Sequence, residues 1–403
     1  MTSTLELRTI TDGEIEEFRA ALMTTFGDDA DDADPDGAGR FRALIPPGRA
    51  WVVRDGGQVV ATAASFTHEL VIPGGTMAMA GLTMVTVRPT HRRRGLLRRL
   101  VDRHLADARD HGEAVSGLWA SEAAIYGRFG YGVATFVDAL EADLGGLEVA
   151  AGRELDAVTW LDEPGARVAL PPIYARATAD RPGAFVRSDA WWRERRFLEA
   201  PFSRAGASRR RHVAARRGDE LTGYVAFRQR SKWDDAVAAG TVEVLELVAQ
   251  DARAEATLWR FLAGIDLFPR VSWGLAPVDG LLPWLIADAR RVRRRRSDGM
   301  WLRLDDVAVA LAARAYADDG ALVLDVEGTR VRLEAAGGVA ACAPSTATAD
   351  LTVDRAGLGS LFLGAVTATT LARAGRAHGR AAAVARADRL FAWPVDAWCP
   401  EVF

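Results

Sequence analysis

Cysteine is nearly missing from this chain. Cys342 and Cys399 are its two, too few for a disulfide framework or a cysteine-held metal site. Histidine is sparse as well, with six residues in 403, so no metal is expected. There is no excess of charge of either sign: 51 Lys+Arg against 54 Asp+Glu leave a net −3. That removes any global electrostatic case for nucleic acid or a membrane surface as partner. Long apolar runs are absent too, and the first residues carry Glu6, Arg8, Asp12 and Glu14 instead of the apolar segment of a signal peptide. The expectation is a cytoplasmic protein of two or three domains, at roughly 150 residues each.

The most informative stretch runs from Met84 to Leu97. Val85 and Val87 alternate with Thr86 as in a half-buried strand, and Pro89 stops ladder pairing. Leu97, Leu100, Val101, Leu105 and Ala108 then recur at the three- and four-residue spacing of one helix face. A helix starting at about Arg93 would aim its unpaired N–H groups and positive dipole end at the strand's exit, a site for a phosphorylated ligand. Gly95 lets that backbone come close. The pattern V-x-V-x-P-x-x-R-R-x-G-x-L resembles the acetyl-CoA loop of the GCN5-related N-acetyltransferases, Q/R-x-x-G-x-G/A, here Arg92 to Leu97 with Leu97 at the last small position. The resemblance implies that the strand parts from its neighbour and that backbone groups of Val85, Thr86 and Val87 hold the pantetheine arm. Arg93, Arg94, Gly95, Leu96, Leu97 and Arg98 would then hold the phosphates.

Around this stretch the chain reads as a mixed α/β unit. Trp51 to Val53 and Gln58 to Phe66 form a hairpin across Asp55-Gly56-Gly57. Ala114 to Trp119 is a strand, Glu122 to Phe129 a short helix, and Phe136 to Leu144 a strand expected to close the first sheet. The acidic loop Asp28 to Asp36 has no periodicity. Setting Val248 on Val87 lays Glu246-Leu247-Val248 over Val85-Thr86-Val87, Arg253 over Arg92 and Leu258 over Leu97. Ala256 replaces Gly95, and Ala254-Glu255 replaces Arg93-Arg94, an anionic side chain where a phosphate would need positive potential. This points to a second, cofactor-free copy of the fold; chance similarity of two strand–helix units is the alternative. From Met300 the texture changes. Val307 to Tyr316 is helical in pattern, Leu322 to Val326 and Thr329 to Glu334 make a hairpin around Glu327-Gly328, and a strand from Asp350 to Val353 precedes the helix Arg355 to Phe362.

The region from Leu302 onward resembles a sterol-carrier-like domain. Two acetyltransferase units followed by such a domain resemble the enhanced-intracellular-survival family of actinobacterial GCN5-related N-acetyltransferases over the whole chain. The implied fold class is α/β (α+β), with domains at 1–145 (catalytic), 146–296 (degenerate copy) and 297–403 (sterol-carrier-like, carrying the C-terminus). The sharpest points of resemblance are the cofactor loop, Ser121-Glu122, Tyr126 and the terminal Phe403. Acetyl-CoA is the implied co-substrate, with Ser121 and Glu122 beside it, and a cationic small-molecule amine, aminoglycoside-like or polyamine-like, is the implied acceptor. Family members assemble as hexamers, which implies a homo-oligomer.

Acetyl transfer to an amine needs a base for the ammonium proton and an acid for the departing thiolate. Tyr126, on a segment that resembles the superfamily's tyrosine-bearing helix, suits the acid; a core tyrosine anchored by its hydroxyl is the alternative, and Tyr131 the nearest competitor. The resemblance gives the base as the chain's own terminal carboxylate, that of Phe403. The tail Leu390 to Phe403 is aromatic and proline-stiffened, as suits an end inserted into a pocket; the alternative is plain packing on the third domain. Acidic groups at Asp28 to Asp36 and at Glu401 would attract a cationic acceptor. Arg290 to Arg296 reads as a solvated edge strand, Trp191-Trp192 as a helix behind the N-cap Ser188 with one tryptophan buried, and His68 and His91 as incidental. The opposing functional reading is a non-catalytic protein that binds CoA and, in its third domain, a lipid.

Overall fold

The computed structural model describes residues 5–27, 36–199 and 204–403. The chain opens with a strand, β1 (Glu6–Thr9), and two helices, α1 (Ile15–Phe26) and α2 (Gly37–Leu44). The hairpin β2 (Ala50–Asp55) and β3 (Gln58–Ile72) turns at Gly56 and Gly57, whose φ of 55° and 89° only glycine adopts without strain. A second hairpin leads into β4 (Gly75–Val87), then α3 (Leu96–Asp110), β5 (Val115–Trp119), α4 (Ala123–Tyr126), β6 (Gly132–Val133) and β7 (Phe136–Asp143). Of the expected acidic loop, the residues up to Pro35 lie outside the described residues; Asp36 stands at the start of α2.

Alternation along β2 and β3 gives the first sheet two apolar faces. Val52, Val59, Ala64 and Phe66 pack under α1 and α2 with Phe18 and Phe41, while Trp51, Val53, Val60 and Ala61 meet Leu96, Leu100 and Val101 of α3. The buried guanidinium of Arg49 ties the end of α3 to this sheet, donating to Asp107 at 2.7 Å and to Glu113 at 2.8 Å.

One strand assignment is corrected. The first sheet runs β1-β2-β3-β4-β5 and is continued not by β7 but by Met300–Leu304, which separates β5 from β6. β7 lies instead in the second sheet, between Val292–Asp298 and Arg270–Ala276, followed by Thr241–Ala249, Glu220–Arg230, Arg211–Arg217 and Ala157–Leu161. β7 thus leaves the first stretch for the second sheet, and Met300–Leu304, from beyond residue 296, enters the first sheet, so the limits 145/146 and 296/297 do not divide the sheets. The physical reason is that periodicity reports a buried face, not which sheet covers it. Val292–Asp298 is the solvated edge strand expected from its arginines. Trp191 and Trp192 differ from expectation in both being buried, at 4% and 6% exposure, behind a Ser188 hydroxyl that accepts from the Trp191 N–H at 3.1 Å.

The third region forms a five-stranded sheet in the order Val339–Pro344, Thr329–Ala336, Gly320–Val326, Leu351–Val353, Ala377–Gly379. Its expected hairpin turns at Glu327 and Gly328, with φ of 54° and 87°, and the helix Arg355–Phe362 falls where its pattern put it. Arg314 is fully buried there and donates to the carbonyls of Phe362, Leu390 and Phe391 at 2.8, 3.1 and 2.6 Å, satisfying helix-end carbonyls that would otherwise be unpaired. None of the described helices is long and apolar enough to cross a membrane.

Candidate active site

β4 and β5 pair in parallel from Met79 with Val115 to Gly81 with Gly117 and then part. On its other edge β4 shifts register against β3 between Thr62 and Ala64, where Met84 takes a left-handed φ of 54°. That is a bulge, and the Thr62 hydroxyl pins it by donating to the Met84 carbonyl at 2.8 Å. Because the Arg88 N–H donates to Val60 at 2.8 Å, two-residue alternation turns the backbone of Val87, and of Val85 before it, toward the gap beside β5. An extended ligand arm can pair there.

The strand exits through residues 88–95 into α3, which begins at Leu96, three residues later than expected. Arg93 and Gly95 adopt φ of 64° and 76°, so the chain stays in a tight loop instead of entering the helix early. Among the described residues no side chain caps α3; its first N–H groups remain without acceptors and carry the positive end of the dipole. They border a cavity of about 610 Å³, lined by Val85, Thr86, Val87, Arg93, Gly95, Leu96, Leu97 and Arg98 on one side and by Ser121, Glu122 and Tyr126 on the other. That volume suits a drug-sized or cofactor-sized ligand. Arg94 is the exception among the expected residues. It points away, half exposed, with its guanidinium 3.9 Å from Asp55, because the left-handed turn at Arg93 and Gly95 sends it to the outer side of the loop. The sequence reading missed Thr25 and Phe26 of α1, and Ile125, Arg128 and Phe129 beyond Glu122, which complete the lining with His91 and Arg92.

The second fold differs at this point. There the strand Thr241–Ala249 is joined to the helix Ala252–Ala263 by Gln250 and Asp251 alone, so no phosphate loop exists and the sequence overlay fails past the strand. Arg253 and Glu255, overlaid on Arg92 and Arg94, are in fact helical. The helix N-terminus is closed by the chain itself: the Asp251 carboxylate accepts from the Ala254 N–H at 2.8 Å. Glu255 faces the protein, accepting from the Leu281 N–H at 2.8 Å.

Tyr126 sits where two cavities meet. A second space of about 440 Å³ is lined by Leu22, Met23, Thr83, Met84, Trp119, Val402 and Phe403, and shares Phe26, Val85, Ser121 and Tyr126 with the first. Burial, and after it the charge of Glu122, push the Tyr126 phenol above its usual pKa, which keeps it protonated at neutral pH as an acid must be. Tyr131 is fully buried and is not among the residues of either lining. The geometry therefore separates the two tyrosines.

Phe403 does not fray. Its ring lies 5.0, 5.3 and 6.3 Å from those of His68, Phe185 and Phe66, and Trp398 and Glu401 just before it are buried. Glu401 is thereby lost as an attractor for a cationic acceptor, since Arg187 and Arg196 pair with its carboxylate. His68 stacks on Phe185 at 4.3 Å; burial, aided by Arg195 and Arg49, holds its pKa down to about 3. It is no base at neutral pH. His91 bridges Asp55 at 3.0 Å and Thr90 at 2.8 Å. Among the described residues no cluster of His, Cys, Asp and Glu suits a metal ion.

Comparison with known proteins agrees with this layout. Models of the acetyltransferase (GNAT) domain match residues 6–134 and 183–304, and a sterol carrier protein domain matches 307–400. An uncharacterized N-acetyltransferase of Streptomyces coelicolor is 38% identical over 99% of this chain and 100% of its own length. The N-acetyltransferase Eis of Mycobacterium tuberculosis is 38% identical over 85% of this chain and 86% of its own. The crystal structure of Eis1 from Mycobacterium abscessus superposes with a TM-score of 0.84 at 32% identity, covering 99% of this chain and 100% of that one.

Proposed function

The chain belongs to the Eis family of GCN5-related N-acetyltransferases, and from that premise we propose which groups carry the acetyl transfer and to what acceptor. The enzyme is an N-acetyltransferase whose fold implies acetyl-CoA as co-substrate; the reading as a non-catalytic CoA- and lipid-binding protein is set aside. The single observation that supports the assignment is the junction of two cavities at Tyr126, one running to the uncapped end of α3 and the other to Phe403.

In this reading the backbone of Val85 and Val87 pairs with the pantetheine arm, and the N–H groups of Leu96 to Arg98 with Arg93 receive the pyrophosphate. Ser121 and Glu122 border the thioester end. The amine enters through the second cavity and attacks the thioester directly, without a covalent enzyme intermediate. The Phe403 carboxylate takes the ammonium proton, and the Tyr126 hydroxyl protonates the departing sulfur. The acceptor is a cationic amine of aminoglycoside-like, polyamine-like or lysine-like chemistry. Family resemblance supports a homo-oligomer, hexameric in the family. Cofactor binding belongs to the unit 1–145, the degenerate copy to 146–296 and the C-terminus to 297–403, with β7 and Met300–Leu304 exchanged between sheets.

The test is thiol release from acetyl-CoA with a panel of amines. Release that depends on an aminoglycoside or polyamine, and is absent with neutral hydroxyl compounds of similar size, is the expected result. No amine-dependent release across the panel would sink the acceptor assignment.

A further inference from the structure

The second fold keeps the parting of its central strands. Thr241–Ala249 and Arg270–Ala276 pair in parallel from Thr241 with Arg270 to Val244 with Trp273, and diverge beyond, as β4 and β5 do. What enters that region is the chain's own C-terminal tail. Trp398 meets Trp273 edge-on, with centroids 6.1 Å apart. Its indole N–H donates to the Leu275 carbonyl at 2.9 Å and its backbone N–H to Pro182 at 2.8 Å.

Three residues on, Glu401 is 2% exposed and joined through Arg187 to Glu246, which lies on Thr241–Ala249 beyond Val244, the last residue to pair with Arg270–Ala276. Arg196 completes the cluster, 2.7 Å from Glu246 and 3.7 Å from Glu401. The Arg187 guanidinium is held over the rings of Tyr174 and Trp192 at 3.6 and 4.6 Å. Burial alone would raise the pKa of Glu246, yet Arg187 and Arg196 keep it below the usual carboxylate range. Arg195 adds a hydrogen bond to the Val402 carbonyl. Chain ends fray unless tied; this one is tied at the Glu401 carboxylate, at the Val402 carbonyl and by the packed ring of Phe403 itself.

We propose that the degenerate fold is a positioning device, in which its parted strands and the Arg187–Glu246–Arg196 cluster clamp Glu401 and so hold the Phe403 carboxylate in the acceptor cavity of the first fold. The inference rests on the reading of Phe403 as base. It makes Glu401, Arg187 and Arg195 positioning residues, and gives a cofactor-free copy a reason to be kept.

Two variants test it. Glu401→Gln keeps the shape and leaves Arg187 paired with Glu246, and Arg195→Ala removes an exposed donor, so the second remains informative should the first not fold. The first readout is release of phenylalanine from the full-length protein by carboxypeptidase A, expected at least tenfold faster in both variants. The second is kinetics: kcat at pH 7 should fall at least tenfold with the KM for acetyl-CoA within twofold of wild type. Unchanged phenylalanine release in both variants overturns the clamp whatever the activity. A fall in kcat accompanied by a matching rise in the KM for acetyl-CoA also overturns it, since a general structural defect would do that. Faster release with unchanged kcat upholds the clamp and removes Phe403 as base.

Discussion

Gly95→Glu probes the proposed cofactor site most directly. A Cβ built on Gly95 meets nothing within 4 Å, so the new side chain has open space and the fold has no clash to absorb. The backbone, however, sits at φ 76°, a conformation that costs an L-residue about 1–2 kcal/mol. For domains of this size that lowers the melting temperature by a few degrees. The larger effect falls on binding. A carboxylate at the entrance to α3 competes for the same N–H groups as the pyrophosphate. Losing two charge-assisted contacts at roughly 1.5–3 kcal/mol each weakens acetyl-CoA by about 10²- to 10⁴-fold. Gly95→Ala is the control, since it carries the same backbone strain without the charge and should cost less than tenfold. Titration calorimetry with acetyl-CoA reads both. The reasoning fails if folded Gly95→Glu binds like wild type, or if Gly95→Ala loses as much.

Tyr126→Phe removes one hydroxyl and should lower kcat by about 10²- to 10⁴-fold with acetyl-CoA binding unchanged; Tyr131→Phe, away from both cavities, should do far less, and equal losses would undo the assignment. Appending one glycine after Phe403 turns the carboxylate into an amide carbonyl and moves the charge by about 3.5 Å, beyond the roughly 2.6–3.2 Å a base tolerates. Turnover at pH 7 should collapse and partly return as rising pH delivers the amine deprotonated; wild-type turnover at pH 7 would exclude Phe403. His68 and His104 are held at about 3 and His212 at about 4, by burial first and nearby arginines second. Below about pH 6.5 the unfolded chain therefore binds protons that the fold refuses, and stability falls by about 1.4 kcal/mol per unit for each histidine as pH drops toward 4. A melting temperature flat between pH 6.5 and 4.5 would contradict this.

What the sequence made legible was local. Gly56-Gly57 and Gly328 marked their hairpins because a left-handed turn favours glycine, and the spacing from Leu97 to Ala108 marked α3 because one face must be buried. The lining of the cavity beside α3 followed, since strand, loop and helix are contiguous there. Long-range features were not legible. β7 and Met300–Leu304 have the same alternating pattern, and nothing in either says that they exchange sheets. The Arg187 cluster joins residues 59 and 214 positions apart, and isolated charges in a sequence read as solvated until the fold buries them together. The error at Arg253 and Glu255 had another cause: an overlay with one fixed offset cannot register a deleted loop.

The exchanged strands bear on the clamp as well. On the proposed reading a base must be placed closely, yet Glu401 is anchored to the second fold and Phe403 would act in the first, so any play between the two folds would pass to the reacting atoms. Strand exchange limits that play. Met300–Leu304 pairs with β5 at five consecutive residues, beside the parting of β4 and β5, while β7 pairs with Val292–Asp298 and Arg270–Ala276 in the other sheet. Phe185–Val186, immediately before Arg187, pairs with β3. The clamp arginine is therefore hydrogen-bonded in register to the first sheet through its own strand, although its carboxylate partner Glu246 belongs to the second. Two folds joined by a flexible linker would not place a carboxylate this way; two folds that share strands do, and the tail can then serve as part of a rigid site although it comes from the far end of the chain.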